Sequence, residues 1–198
     1  MESDLIGARE IPAEALYGVQ TLRGIENFSI SKFRLSEYPL FIKGLAITKM
    51  AAAMANFELG LLTVEQKDAI IAACGEIIDG KHHDQFPVDM IQGGAGTTTN
   101  MNANEVIANR ALELMGHERG EYQYCSPNDH VNCSQSTNDA YPTAIHIGMY
   151  FKHLQLLPHL EGLIASFRKK GEEFSRIIKM GRTQLEDAVP MTLGQTFN

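Results

Sequence analysis

With 198 residues, 44% of them apolar and 21% charged, the chain has enough length and apolar content to bury a sizeable core in one or two domains. Its 17 Lys and Arg against 24 Asp and Glu leave a net charge of −7, which argues against nucleic acid or an anionic membrane as a partner. No apolar run approaches the ~20 residues of a membrane span, Met1-Glu2-Ser3-Asp4 lacks a signal-peptide pattern, and three cysteines at no zinc spacing read as reduced thiols of a cytoplasmic protein.

Residues 1–37 read as an irregular arm, because Gly7, Pro12, Gly18 and Gly24 interrupt any long periodicity. Arg9 and Arg23 read as surface charges, or as bidentate clamps if a carboxylate is near. A helix is predicted from Pro39 to about Leu59, closed by Gly60, with Leu45, Ile47, Met50, Ala51, Met54 and Phe57 on its apolar side. Thr63 with Gln66 forms a capping-box pattern that opens a second helix, carrying Ile70, Ile71, Cys74, Ile77 and Ile78 and closed by Gly80. The run Lys81-His82-His83-Asp84 reads as a solvated turn rather than a metal site, since adjacent loop histidines tend to point apart.

Three polar clusters follow. Gln92-Gly93-Gly94-Ala95-Gly96 lets the backbone approach a ligand, and Thr97-Thr98-Thr99-Asn100-Met101-Asn102 adds neutral hydrogen-bonding groups before a helix predicted over Val106–Met115. It is neither a phosphate-binding Gly-Lys-Ser/Thr loop nor a dinucleotide fingerprint. The second cluster is Val131-Asn132-Cys133-Ser134-Gln135-Ser136-Thr137-Asn138-Asp139, directly before a helix predicted from about Pro142 to Leu157 and buried on several sides. Ser136, Thr137 and Asn138 then stand at a helix start, which offers unpaired N–H groups and a positive dipole end suited to an anion. Serine, threonine and asparagine also cap helices with no ligand, so this cluster alone leaves both readings open. Another helix is predicted over about 159–176. The third cluster, Gly181-Arg182-Thr183-Gln184, follows a short extended piece at Ile177–Met180 and is expected at a further helix start near Met191-Thr192-Leu193-Gly194. The chain stops at Phe197-Asn198 with no helix stop signal, as though inside an element.

Gly93-Gly94-Ala95-Gly96-Thr97-x-x-Asn100-Met101-Asn102, Ser134-Gln135-Ser136-Thr137-Asn138-Asp139 and Gly181-Arg182-Thr183 resemble, in order and spacing, the three signature regions of the aspartase/fumarase superfamily. Gly7-x-x-Glu10-Ile11-Pro12, Tyr17-Gly18-Val19-Gln20-Thr21-Leu22-Arg23 and Glu26-Asn27-Phe28 are similar to its N-terminal pattern, so the resemblance covers essentially the whole chain. Within the superfamily the aspartase branch is the nearest match. Residues 92–96 have its form, Gln184 stands where fumarases carry histidine, Cys133 where they carry lysine, and Ser126 replaces the histidine of their secondary dicarboxylate site. Glu186 and Thr98 depart from the usual glutamine and serine.

The resemblance implies an all-α fold: an N-terminal helical domain at 1–139, then the first helices of a long central bundle at 140–198, from a homotetramer whose sites are each built by three subunits. It implies reversible deamination of L-aspartate to fumarate and ammonia through a doubly charged aci-carboxylate, whose oxygens need preorganised donors. Thr97, Ser136 and Thr137 would hold the reacting carboxylate, Thr183 the other one, and Asn138 and Gln184 the amino side. The catalytic base is expected beyond Asn198, so this stretch alone would be inactive. No cofactor or metal is required by the resemblance, and divalent-cation activation leaves no readable motif. Fumarate hydration, another lyase reaction of the superfamily, and a noncatalytic helical assembly module are the competing readings.

Overall fold

The computed structural model describes residues 1–197; the reading that the chain stops inside an element falls on Asn198, outside the described residues. The chain divides into two compact units, Met1–Tyr150 and Phe151–Asn198. It is all-helical apart from two short hairpins.

In the first unit the arm is more ordered than its glycines suggest. Strands β1 (Glu2–Asp4) and β2 (Gly7–Arg9) pair antiparallel, and α1 (Val19–Asn27) follows. Arg23 clamps Asp4 with both its Nε and Nη2, each at 2.7 Å, and holds the Asp4 carboxyl down at about 2. Arg9 makes only an exposed 3.5 Å pair with Glu26. Helix α2 (Pro39–Glu58) starts on a proline and α3 (Val64–Ile78) on the expected capping box, in which Thr63 Oγ1 accepts from Gln66 N–H at 3.2 Å and Gln66 Oε1 accepts from Thr63 N–H at 3.1 Å. Gly60 and Gly80 end these helices in the left-handed conformation that glycine adopts without strain.

The buried face of α2 differs from the expected one. It runs Ile42, Leu45, Ala46, Lys49, Ala53 and Asn56, at the i, i+3, i+4, i+7 spacing of one helical stripe, whereas Met54 is half exposed. Two polar side chains on that stripe concealed it. At 20 residues α2 is also long and apolar enough to cross a membrane by length and composition, because its many small residues raise its hydropathy, although Lys43 and Lys49 interrupt its apolar run. Its inner face packs in the core with Ile70, Ile77, Val106, Ile107 and Leu112.

Helix α4 (Thr97–Leu114) begins nine residues before the expected Val106. Threonine and asparagine have modest helix propensity, but tertiary partners override it. Asn102 Nδ2 donates to the Gln85 carbonyl, Asn109 Nδ2 to the Leu16 carbonyl, and the buried Glu105 carboxylate accepts from the N–H groups of Gly18, Gln20 and Thr21 at 2.8–3.0 Å. Glu105 thereby closes the open N-terminus of α1, while burial pushes its own pKa up.

Helix α5 (Thr137–Glu173) is continuous where two helices were expected. Pro142 falls near its start. Pro158 removes one i→i−4 bond, to the Leu154 carbonyl, on a stretch exposed to solvent, and the helix passes through. In the first unit α5 crosses α2 closely: a Cβ on Gly44 would lie 2.2 Å from the Ala144 carbonyl oxygen, and one on Gly148 would lie 3.0 Å from that of Leu40.

In the second unit α5 is followed by β3 (Ile178–Thr183) and β4 (Glu186–Thr192), an antiparallel hairpin. Its end folds back on the helix, with the Phe197 ring 5.8–6.0 Å from those of Phe174 and Phe167. Burial on several sides, expected over about 142–157, is not met, since Met149, Leu154, Leu156 and Leu157 are 39–63% exposed, and Leu160, Leu163, Ile164 and Phe167 beyond them are 42–52% exposed. An apolar helix reads as buried in sequence whether or not its partner belongs to the same chain.

Candidate active site

The first two polar clusters meet in the first unit. Gly94, Ala95 and Gly96 all have positive φ, at 74°, 51° and 91°. Gly96 also lies directly under the Tyr141 ring, where a Cβ would be 2.5 Å from ring carbon, so both backbone conformation and space demand glycine. Gln92 ties this loop to α4: its Nε2 donates to the Asp89 carbonyl and to Thr99 Oγ1, and its Oε1 accepts from Thr99 N–H, at 2.8–2.9 Å. Thr97, at the start of α4 and exposed, donates its hydroxyl to the Gly94 carbonyl at 2.7 Å.

The second cluster stands at the start of α5 as its residue types require. Ser136 Oγ accepts from Asn138 N–H at 3.1 Å. Thr137 Oγ1 lies 3.3 Å from Asn100 Nδ2, which joins it to α4. Asn138 lines an open cavity of about 380 Å³ together with Met90, Gln92, Ala95, Gly96, Tyr141 and Pro142. The loop leading into α4 and the first turns of α5 therefore bound one hollow, with the Gln92 and Asn138 amides in its lining, an arrangement suited to a carboxylate.

Beneath that surface lies a polar layer that sequence reasoning missed. Lys49 is 0% exposed, and its Nζ donates to Asn132 Oδ1 at 2.9 Å and Gln135 Oε1 at 3.0 Å. Asn132 Oδ1 also accepts from Asn100 Nδ2 at 3.0 Å. Among the described residues no carboxylate pairs with Lys49. Burial lowers its pKa to about 7. The nearby Cys74 thiol, itself pushed up to about 12 by burial, stays neutral where Lys49 titrates. A lysine on the buried stripe of α2 was the available signal. Asn56 on the same stripe donates to the Cys133 carbonyl at 2.8 Å, and Ser134 takes a positive φ of 55° in the loop so held.

The third cluster belongs to the second unit and is not a helix start. Thr183 ends β3, and Gln184 and Leu185 form the two-residue tip of the hairpin at φ 47° and 66°. Positive φ at both central residues matches the turn that suits strand twist, usually made by Asn-Gly. With neither residue a glycine, sequence gave no turn signal. Thr183 and Gln184 are exposed at that tip, beside the 3.1 Å Arg182–Asp187 pair. In the His82-His83 run the rings take separate partners, Glu76 Oε2 at 2.9 Å and the Ile77 carbonyl at 2.8 Å.

The chain has known relatives. The sequence model of the lyase family matches residues 7–198. The chain is 61% identical over 196 residues to aspartate ammonia-lyase of Pseudomonas canavaninivorans, covering 99% of this chain and 41% of that protein. It is 58% identical to aspartate ammonia-lyase of Escherichia coli K12 over 198 residues, all of this chain and 41% of the relative. The crystal structure of a fumarate lyase:delta crystallin from Brucella melitensis superposes with a TM-score of 0.91 at 55% identity, over 99% of this chain and 44% of that one. The chain thus spans about two fifths of the length of the curated relatives it matches. With the family match running through all three signature regions, the chain belongs to the aspartase/fumarase superfamily of lyases.

Proposed function

We propose that the protein containing this chain is an ammonia-lyase that interconverts L-aspartate with fumarate and ammonia. The observation that carries the reading is the close approach of the α4 and α5 starts, where Asn100 Nδ2 meets Thr137 Oγ1 and where Ala95, Gly96 and Asn138 line one hollow. Removing a proton from the carbon beside a carboxylate puts a second negative charge on that carboxylate. Fixed N–H and O–H groups aimed at its oxygens stabilise the charge as it develops.

In this reading Thr97, Ser136 and Thr137 hold the reacting carboxylate and Asn138 contacts the amino group. Thr183 binds the second carboxylate, and Gln184 orients the amino side. The base that takes the carbon-bound proton comes from sequence beyond residue 198. Residues 140–198 begin a bundle that assembles as a homotetramer, so that one site draws its three clusters from different subunits of a cytoplasmic enzyme. The exposed apolar side of α5 supports such packing, and the relatives named aspartate ammonia-lyase support the substrate. The reaction needs no cofactor in this scheme.

The test is product choice. The full-length protein, given fumarate with ammonia, is expected to form aspartate, and given fumarate in ammonia-free buffer, little malate. Malate formed as fast as aspartate would favour a hydratase, and neither product would leave a noncatalytic module.

A further inference from the structure

We propose that Lys49 is a positioning residue that sets the hydrogen-bond direction of the polar layer under the α5 start, leaving the Thr137 hydroxyl free to donate to a bound carboxylate. The inference rests on the ammonia-lyase reading above.

The argument follows donors and acceptors link by link. Lys49 approaches two carboxamides and donates to both, so Asn132 and Gln135 must each turn an oxygen toward it. The rest of each carboxamide agrees. Gln135 Nε2 donates to the carbonyls of Val131 at 2.8 Å and Cys133 at 3.1 Å, and Asn132 Nδ2 donates to the Gln135 carbonyl at 3.1 Å. With its oxygen thus oriented, Asn132 can only accept from Asn100, which must present Nδ2. That same Nδ2 then faces Thr137 Oγ1, which must accept. A hydroxyl has a single proton. Because Thr137 accepts from Asn100, its proton is free to point away from the buried layer.

The reverse direction would be costly inside the protein. Lys49 and Asn100 are shut off from solvent and Asn132, Gln135 and Thr137 are half-buried, so an oxygen facing an oxygen there would leave acceptors poorly satisfied. Lys49 is suited to the head of the chain because an amino group always has protons to give, and no carboxylate among the described residues competes for them. It touches no part of the hollow itself. Its influence on a substrate therefore passes through Thr137.

The experiment is a double-mutant cycle in the full-length protein, with aspartate deamination followed by the ultraviolet absorbance of fumarate. Thr137→Val removes the hydroxyl and keeps the shape; Lys49→Met removes the donor and keeps the length. Each single variant is expected to lower kcat/KM by about 30-fold, the value of one hydrogen bond to a charged group. Together they should stay within about threefold of Thr137→Val alone, because Lys49 has no other route to the substrate. A purely structural lysine would instead multiply the two losses, and that result would overturn the proposal. Should Lys49→Met fail to fold by circular dichroism, Asn132→Leu breaks the same chain one link further on and is held to the same criterion. Wild-type protein with no turnover of aspartate would overturn the functional reading and this proposal with it. Active wild type with multiplied losses would overturn this proposal alone.

Discussion

Lys49 shows what a single side chain contributes and why it was overlooked. Hydropathy treats a lysine as an interruption of α2, yet it lies on the same stripe as Ile42, Leu45, Ala46 and Ala53 and carries the only charge on that buried face. Its burial has a consequence for stability. The folded chain holds Lys49 at about 7, against an ordinary value of 10.5 in the unfolded chain. Below pH 7 both states are protonated and the folded state bears the full cost of a buried charge. Between 7 and 10.5 the unfolded chain keeps a proton that the folded chain has released, so raising the pH favours folding, by up to about 1.4 kcal/mol per pH unit. Urea unfolding of the full-length protein between pH 7 and 9 should show wild type gaining stability relative to Lys49→Met across that interval. Parallel pH dependences would show that Lys49 keeps its usual pKa. Other site residues were plainer. Thr97, Ser136, Thr137 and Asn138 stand at helix starts, a place that hydroxyl and amide residues favour because they can satisfy open N–H groups, as Ser136 does for Asn138, and that preference is readable without a structure.

At the scale of elements, readability followed local signals. The capping box of α3, the proline at the start of α2 and the glycines after both helices are chemical marks in the sequence, and the structure obeys them. The failures arose where tertiary contacts outweighed such marks. Helix α4 extends back through Asn102 and Asn100 because the Asn102 side chain finds the Gln85 carbonyl and the Asn100 side chain finds Asn132, while Glu105 and Asn109 hold the arm. Helix α5 continues through Pro158 because the one bond this proline removes is a small loss in 37 residues. The β3–β4 turn is made by Gln184 and Leu185, residue types that carry no turn signal. The crossing of α2 and α5 deserves a direct test, since it brings Lys49 and Thr137 to the same layer. Gly44→Ala forces a methyl group against the Ala144 carbonyl and should cost about 2 kcal/mol or more in unfolding free energy. Gly75→Ala, inside α3 with open space at its Cβ position, should instead gain about 0.5–1 kcal/mol. Equal effects of the two in chemical denaturation would contradict the close crossing.

For the molecule as a whole, the division into two units separates two kinds of polar cluster. The first unit brings its two clusters together over a buried polar layer, and the second presents Thr183 and Gln184 at an exposed hairpin tip. Order and spacing of the three clusters made the family legible in sequence, whereas the layer beneath them, built from residues 32 to 86 positions apart, was not. The central claim is that the starts of α4 and α5 form one carboxylate-binding surface on which the lyase reaction depends. It is tested most directly by the steady-state deamination of aspartate by full-length Thr97→Ala, Ser136→Ala and Thr137→Ala variants whose thermal midpoints match wild type. The account predicts that each lowers kcat/KM by about 10-fold or more, as loss of a donor to developing charge requires. Values within about threefold of wild type for all three would contradict it.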